Sequence, residues 1–296
     1  LSNSAMSIIT LIDSKIVLGR LEAISGLLAE KPAALYGQYT FGMDLINLPP
    51  SFVYPVTMSL IPFAAAAMAR KDSAGANRII SSAFRLIAIL AIPAGVGLSV
   101  LSGPILMMLY PAQKEAAMAA GPHLQVLGIA CIFICLMTLT NAILQSYGHE
   151  RIPICTMIAG GIVKIVMNYV LVGNPDINIH GAPISTLCCY LVISGLNLFF
   201  VWKYSPEKPR YLQLFTKPVI ASALMGGAAW AVHGLVLQAL TGGEYAYGAN
   251  ALATFLGIGA GVVVYFVLVI ALRILRAEDR KGIPHGQTLV RLLHLR

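Results

Sequence analysis

Long apolar runs separated by short polar connections dominate this sequence. The clearest runs, 86–109 and 247–272, hold no charged residue, and each is longer than the roughly 20 residues that a helix needs to cross a ~30 Å hydrocarbon core. Only 11% of the residues are charged and 58% are hydrophobic, whereas a soluble domain carries about 25% charged residues. The sequence therefore predicts an all-α, polytopic membrane protein.

Composition also excludes two other classes. A net charge of +8 would suit nucleic-acid binding, but the basic residues lie between apolar runs and form no basic domain, so we expect no nucleic-acid partner. Five cysteines in 296 residues are too sparse, and odd in number, for a secreted disulfide scaffold.

We predict about eight transmembrane helices. They lie at about residues 3–28, 38–69, 78–109, 122–146, 153–173, 181–203, 215–240 and 247–275. The first is the least apolar, because it carries Asp13, Lys15, Arg20 and Glu22. The chain starts inside an apolar stretch, at a residue other than Met. We therefore expect this sequence to begin partway through a longer protein.

Lysine and arginine predict the orientation of these spans. The connections after spans two, four and six, together with the C-terminal tail and the adjoining span ends, hold fourteen basic residues, and the alternate connections hold Lys31 and Lys114. Basic connections stay in the cytoplasm, so the C-terminus is predicted to be cytoplasmic. The apolar spans make the lipid bilayer an expected partner. The basic tail is either a juxtamembrane anchor on anionic lipid or a partner-binding helix.

Several ionisable residues lie inside predicted spans, where they are costly unless they face a cavity or a partner. Asp13 and Arg20 are seven residues apart and share a helix face, so span one must present a polar face to a bundle interior. Asp13 either lines a cavity or couples transport, or it forms a structural pair. Lys164 and Asn168 share a face of span five, and Lys164 lies near mid-span, where a cavity role is favoured.

Span two contains Asp44 and a proline pair, Pro49 and Pro50. Two missing backbone donors break helix geometry, which predicts a hinge here. Pro93 predicts a second hinge, in span three. Asp44 either faces a cavity beside a kinked gate or lies near the headgroups at a static kink. Arg85, near the predicted cytoplasmic end of span three, either snorkels or faces a headgroup.

Catalytic and cofactor motifs are lacking in the sequence. The six histidines are dispersed, no acid-rich loop predicts a metal site, and no glycine-rich phosphate loop is present. We therefore expect no enzyme, no metal and no cofactor, and predict a transporter-like bundle with polar groups at depth.

Short motifs in the first 205 residues resemble a known family. The second, third and fifth spans and the start of the sixth resemble the second lobe of lipid-linked oligosaccharide flippases, and the opening resembles the stage V sporulation protein B branch. These proteins belong to the multidrug/oligosaccharidyl-lipid/polysaccharide exporter superfamily, which includes the lipid II flippases. The matching segments are Leu11–Ser14, Gly19–Leu21, Ala34–Gly37, Leu45–Pro49, Ser59–Pro62, Ala83–Leu86, Ile92–Leu98, Gly103–Ile105, Gly161–Lys164, Asn168–Tyr169 and Gly181–Thr186.

The resemblance implies two six-helix lobes around a central cavity, often followed by two further helices. Residues 1–205 would then be the second lobe, 206–276 the extra pair and 277–296 a basic cytoplasmic tail. The N-terminal lobe of the same protein would be the missing partner.

The implied function is a flippase in the bacterial inner membrane that moves a polyprenyl-linked saccharide for peptidoglycan, spore cortex or surface polysaccharide. Arg85, Lys164 and Asn168 are the expected headgroup or cavity residues. Asp44 stands where lipid II flippases tend to hold a basic residue, and a carboxylate does not suit a pyrophosphate. It would bind a coupling cation, pair with the first lobe or face another headgroup. The alternatives are a cation-coupled drug exporter of the same superfamily and a non-transporting scaffold for wall-synthesis enzymes.

Overall fold

Helices occupy nearly all of the chain that the computed structural model describes, which is residues 2–27, 30–205, 208–242, 246–272 and 274, with side chains from residue 11 onward. No strand occurs in these ranges, so the all-α prediction is confirmed. The α-helices of the described ranges are α1 (Ser2–Ala23), α2 (Pro32–Ile46), α3 (Leu48–Ala69), α4 (Ser73–Val100), α5 (Ser102–Leu109), α6 (Lys114–Ser146), α7 (Arg151–Leu171), α8 (Gly181–Tyr204), α9 (Tyr211–Thr241) and α10 (Tyr247–Ala271).

Among the described residues, 7 stretches are long and apolar enough to cross a membrane. They coincide with the second to eighth predicted spans. The first predicted span is present as α1, a helix of 22 residues, but it is not one of the seven. Its four ionisable residues lower its hydropathy, so α1 depends on polar partners in the bundle more than on lipid.

Helix α6 forms the centre of the bundle and packs against α2, α3, α4, α5 and α8. Leu124, Leu127 and Leu139 on this helix are completely buried. By contrast, α10 exposes Phe255, Val263 and Phe266, as a lipid-facing helix does. Apolar residues therefore cover both the inside and the outside of the bundle, as membrane spans require.

Gly95 on α4 and Gly128 on α6 allow these two helices to cross at close range. A Cβ atom on Gly128 would lie 2.7 Å from the backbone nitrogen of Ser99 and 2.8 Å from the carbonyl oxygen of Gly95. Close approach of backbones through small residues is a common source of packing energy between membrane helices.

Replacing Gly128 with alanine is expected to destabilise the protein by about 1–3 kcal/mol, because the added methyl group meets backbone atoms that cannot move aside easily. Gly195→Ala on α8 is the matched control, since nothing lies within 4 Å of its built Cβ, and alanine there should be neutral or slightly stabilising. Thermal unfolding of both variants in the same detergent measures the difference. Equal melting temperatures would contradict the close crossing.

The predicted break at the proline pair is present between α2 and α3. Pro49 and Pro50 lie in the first turn of α3, where their missing N–H groups have no helical partner to lose. The amide of Asn47 donates to the carbonyl oxygen of Met43 at 2.8 Å, and Ser51 donates to the Asn47 carbonyl at 2.8 Å. The Asn47 side chain therefore satisfies a carbonyl near the end of α2, and the Ser51 hydroxyl bonds within the first turn of α3. Bending at this point remains a prediction.

Pro93 leaves α4 continuous but removes the hydrogen bond that its backbone would make to the carbonyl of Ile89. The hydroxyl of Tyr265 on α10 donates to that carbonyl at 2.9 Å. The amide of Asn250, also on α10, donates to the Pro104 carbonyl in α5 at 3.2 Å. Helices α9 and α10 pack on each other and share an apolar cluster around Met225 and Tyr265, so this pair attaches to the bundle along α4 and α5.

Candidate functional site

A buried ion pair joins α1 to α7 near the middle of both helices. Nζ of Lys164 lies 2.9 Å from Oδ2 of Asp13, and the two side chains are 7% and 6% exposed, respectively. Each charge alone would be costly at this depth, and pairing offsets that cost. The polar face predicted for span one therefore has a partner within this chain.

Asn168 extends the pair by one helical turn. Its Nδ2 donates to Oδ1 of Asp13 at 2.5 Å, and its Oδ1 accepts a hydrogen bond from the Ser185 hydroxyl on α8. Asn168 and Ser185 are completely buried. Lys164 and Asn168 thus use one face of α7, as their spacing predicts, and hold both oxygens of Asp13. We refer to Asp13, Lys164, Asn168 and Ser185 as the Asp13 network.

Thr186, the residue after Ser185, connects the Asp13 network to α2. The hydroxyls of Thr186 and Tyr39 lie 2.9 Å apart and are buried. Helices α2 and α7 therefore make polar contacts with the first turns of α8, and α1 is linked to them through Asn168.

Arg20 continues the polar face of α1 two turns after Asp13. Its Cζ lies 4.1 Å from the centroid of the Tyr169 ring on α7, a cation–π distance. A Cβ on Gly173 would lie only 2.2 Å from Nη2 of Arg20, so this glycine provides space for the guanidinium group. Asp13 and Arg20 both contact α7, as their shared face predicts.

Two predicted site residues lie outside the network. Arg85 is buried on α4, where its Nη2 lies 3.4 Å from the Ser82 hydroxyl, and it lines a separate cavity. Asp44 is exposed on α2, one turn before the break at Asn47. The structure therefore brings together Asp13, Lys164 and Asn168, but neither Arg85 nor Asp44 joins them.

Sequence reasoning missed several polar contacts. Ser185, Thr186 and Tyr39 are ordinary helix residues whose partners lie on other helices, so spacing along one helix does not identify them. A second buried cluster surrounds Asn197 on α8. Elsewhere, Nε2 of His123 lies 3.1 Å from Nδ1 of His180. Within the described ranges, no group of three or more His, Cys, Asp or Glu side chains is placed to hold a metal ion.

Comparison with known proteins places this chain in a family. The family described as lipid II flippase MurJ matches residues 36–276. Two proteins of Bacillus subtilis (strain 168) are similar over most of the chain. The uncharacterized membrane protein YabM is 28% identical over 275 residues, which are 92% of this chain and 49% of YabM. Stage V sporulation protein B is 21% identical over 280 residues, which are 93% of this chain and 51% of that protein.

Solved structures show the same fold. An outward-facing multidrug resistance MATE family transporter of the MOP superfamily aligns with a TM-score of 0.53 and 16% identity, over 99% of this chain and 67% of that chain. The chain spans about half the length of the two Bacillus relatives. The predicted resemblance is confirmed, and because the family match covers more than half of the chain, the chain belongs to the lipid II flippase MurJ family of membrane transporters.

Proposed function

We propose that this transporter moves a polyprenyl-linked saccharide across the bacterial inner membrane for cell-wall or surface polysaccharide synthesis. Residues 1–205 would form the second lobe, 206–276 two additional helices, and 277–296 a cytoplasmic tail outside the described residues. A first lobe of the same protein would complete the cavity, and the lobes would rock to expose it alternately. Asp44, exposed on α2, is available to that lobe or to a coupling cation.

The buried Asp13–Lys164 pair is the observation that carries the proposal. An alternating-access transporter needs an element whose contacts differ between its states. In the described state Asp13 neutralises Lys164, so a phosphate of the headgroup would compete with the carboxylate for the ammonium and displace it. Asp13 would then need a proton or a cation, and this exchange would couple headgroup binding to movement of α1.

Transport by the full-length protein in proteoliposomes tests this mechanism. The substrate is a fluorescent saccharide on polyprenyl pyrophosphate, and the key variant is Asp13→Asn/Lys164→Met, which removes both charges together. We expect at least a tenfold lower flipping rate, because neither the ammonium nor the exchanging carboxylate remains. Lys15→Met, which changes an exposed residue of the same helix, should retain the wild-type rate.

Wild-type flipping by the double variant would contradict the exchange mechanism. The same vesicles also test the drug-exporter alternative. Export of a cationic dye, with no movement of the saccharide lipid, would contradict the proposed substrate and favour the drug exporter.

Deleting residues 277–296 separates transport from scaffolding. A flippase whose cavity lies between its lobes should keep more than half of its flipping rate without this tail. Complementation of a flippase-deficient strain, measured beside the vesicle assay, reports both properties. Loss of complementation with full flipping in vesicles would favour the scaffold.

A further inference from the structure

The last two helices pack on α4 at the turn that contains Pro93. Ile89 lies about one turn before this proline and Val96 about one turn after it, and both pack against the apolar cluster of α9 and α10 that contains Tyr265. Gly226 on α9 allows this approach, since a Cβ atom there would lie 2.8 Å from Cγ1 of Val96. The α9–α10 pair therefore contacts α4 both before and after its proline.

Tyr265 on α10 supplies a hydrogen bond that Pro93 cannot make. In a regular helix the N–H of residue 93 would donate to the carbonyl oxygen of Ile89, but proline has no N–H. The Tyr265 hydroxyl donates to this oxygen at 2.9 Å, and Tyr265 is only 8% exposed. A side chain of α10 thus replaces a bond that is missing within α4.

This hydrogen bond makes the shape of α4 depend on α10. A helix bends most readily at an interior proline, and bending at Pro93 would change the position of the Ile89 carbonyl relative to the Tyr265 hydroxyl. If the bond were lost, the carbonyl would be left without a donor at membrane depth, which costs free energy. The bond therefore favours the described shape of α4 over a bent one.

Two other hydrogen bonds join α10 side chains to the bundle among the described residues, and both go to α5. Tyr247 donates to the carbonyl oxygen of Met108 at 3.3 Å, and Asn250 donates to that of Pro104 at 3.2 Å. No proline lies four residues after either acceptor. These two bonds attach α10 to α5, whereas the bond of Tyr265 acts at a proline turn.

We propose that Tyr265 is a latch on α4. It holds the turn at Pro93 in the described shape, and α4 bends at this proline only when the bond to the Ile89 carbonyl is released. The α9–α10 pair then has a conformational role in addition to its attachment to the bundle. This role does not depend on which molecule is transported, because none of these groups belongs to the Asp13 network.

A double-mutant cycle in the full-length protein tests the link between Tyr265 and Pro93. Tyr265→Phe removes the hydroxyl and keeps the ring, so the fold should be retained. Pro93→Ala restores an N–H that can donate to the Ile89 carbonyl, so the hydroxyl is no longer the only donor. We expect Tyr265→Phe to lower the melting temperature of wild type at least three times as much as that of Pro93→Ala. A smaller ratio, or no loss in wild type, would overturn the link.

Hydrogen exchange of the full-length protein in lipid nanodiscs, measured by mass spectrometry, tests the latch itself. Without the Tyr265 hydroxyl, α4 should open more often at Pro93, and the amides of residues 90–97 should exchange at least fivefold faster than in wild type. Tyr247→Phe is the matched control, since it removes another α10 hydroxyl that donates to a backbone carbonyl. Its exchange in the same segment should stay within twofold of wild type.

The outcomes separate a latch from a merely stabilising contact. Less than fivefold acceleration in Tyr265→Phe would overturn the latch even if the melting temperature falls, because the hydroxyl would then only stabilise the fold. Equal acceleration in Tyr247→Phe would also overturn it, since a general loosening of α10 would explain the result. Acceleration by Tyr265→Phe that disappears in the Pro93→Ala background supports the proposal.

Discussion

Asp13→Asn alone and Lys164→Met alone are each expected to destabilise the protein by about 3–5 kcal/mol, the usual effect of leaving one buried charge without its partner. The pair lies 2.9 Å apart with side chains 7% and 6% exposed, so water cannot replace the lost partner. Thermal unfolding of the full-length protein in one detergent, at one pH, measures the loss.

The double variant Asp13→Asn/Lys164→Met should recover most of that stability, because it removes both charges and keeps similar side-chain volumes. A buried pair replaced by neutral groups is often neutral in its effect on stability. The amide of Asn168 retains an oxygen acceptor at position 13, so that hydrogen bond survives. Single variants with wild-type stability, or a double variant as unstable as the singles, would contradict the ion pair. Recovery of stability also makes the double variant suitable for the transport assay.

Asn197→Leu is expected to have the second-largest effect. Asn197 is completely buried on α8. Its Oδ1 accepts from Thr156 on α7 at 2.7 Å, and its Nδ2 donates to Asn141 and Thr140 on α6, at 2.7 and 3.2 Å. Interhelical hydrogen bonds in membranes contribute roughly 1 kcal/mol each, so losing all three should cost about 3 kcal/mol.

Gln125→Leu is the matched control for Asn197→Leu, since it removes another side-chain amide, from an exposed position on α6. Its melting temperature should change by less than a third of the change caused by Asn197→Leu. Equal shifts would mean that the buried cluster does not join the three helices.

Hydropathy predicted most of the fold, because each apolar run is a local property of the chain. The described helices coincide with all eight predicted spans. Only seven of these stretches are apolar enough to cross a membrane among the described residues, and α1 is not one of them because it carries four ionisable residues. The break before Pro49 and Pro50 is equally local. By contrast, the hydrogen bond from Tyr265 to the carbonyl freed by Pro93 links positions far apart in the chain, and no pattern along α4 predicts it.

The candidate site was predictable only as separate parts. Spacing placed Lys164 and Asn168 on one face of α7 and marked Asp13 as a charge that needed a partner. Spacing did not reveal that these are partners of each other, nor that Arg85 belongs to a different cavity.

The amino-acid sequence by itself determined where the chain enters a membrane, because backbone groups in lipid must form their hydrogen bonds within the same helix. Tertiary structure alone decided which buried charges meet. The energy of the Asp13–Lys164 pair depends on how α1 and α7 pack side by side, and that packing is settled by side chains from many parts of the chain.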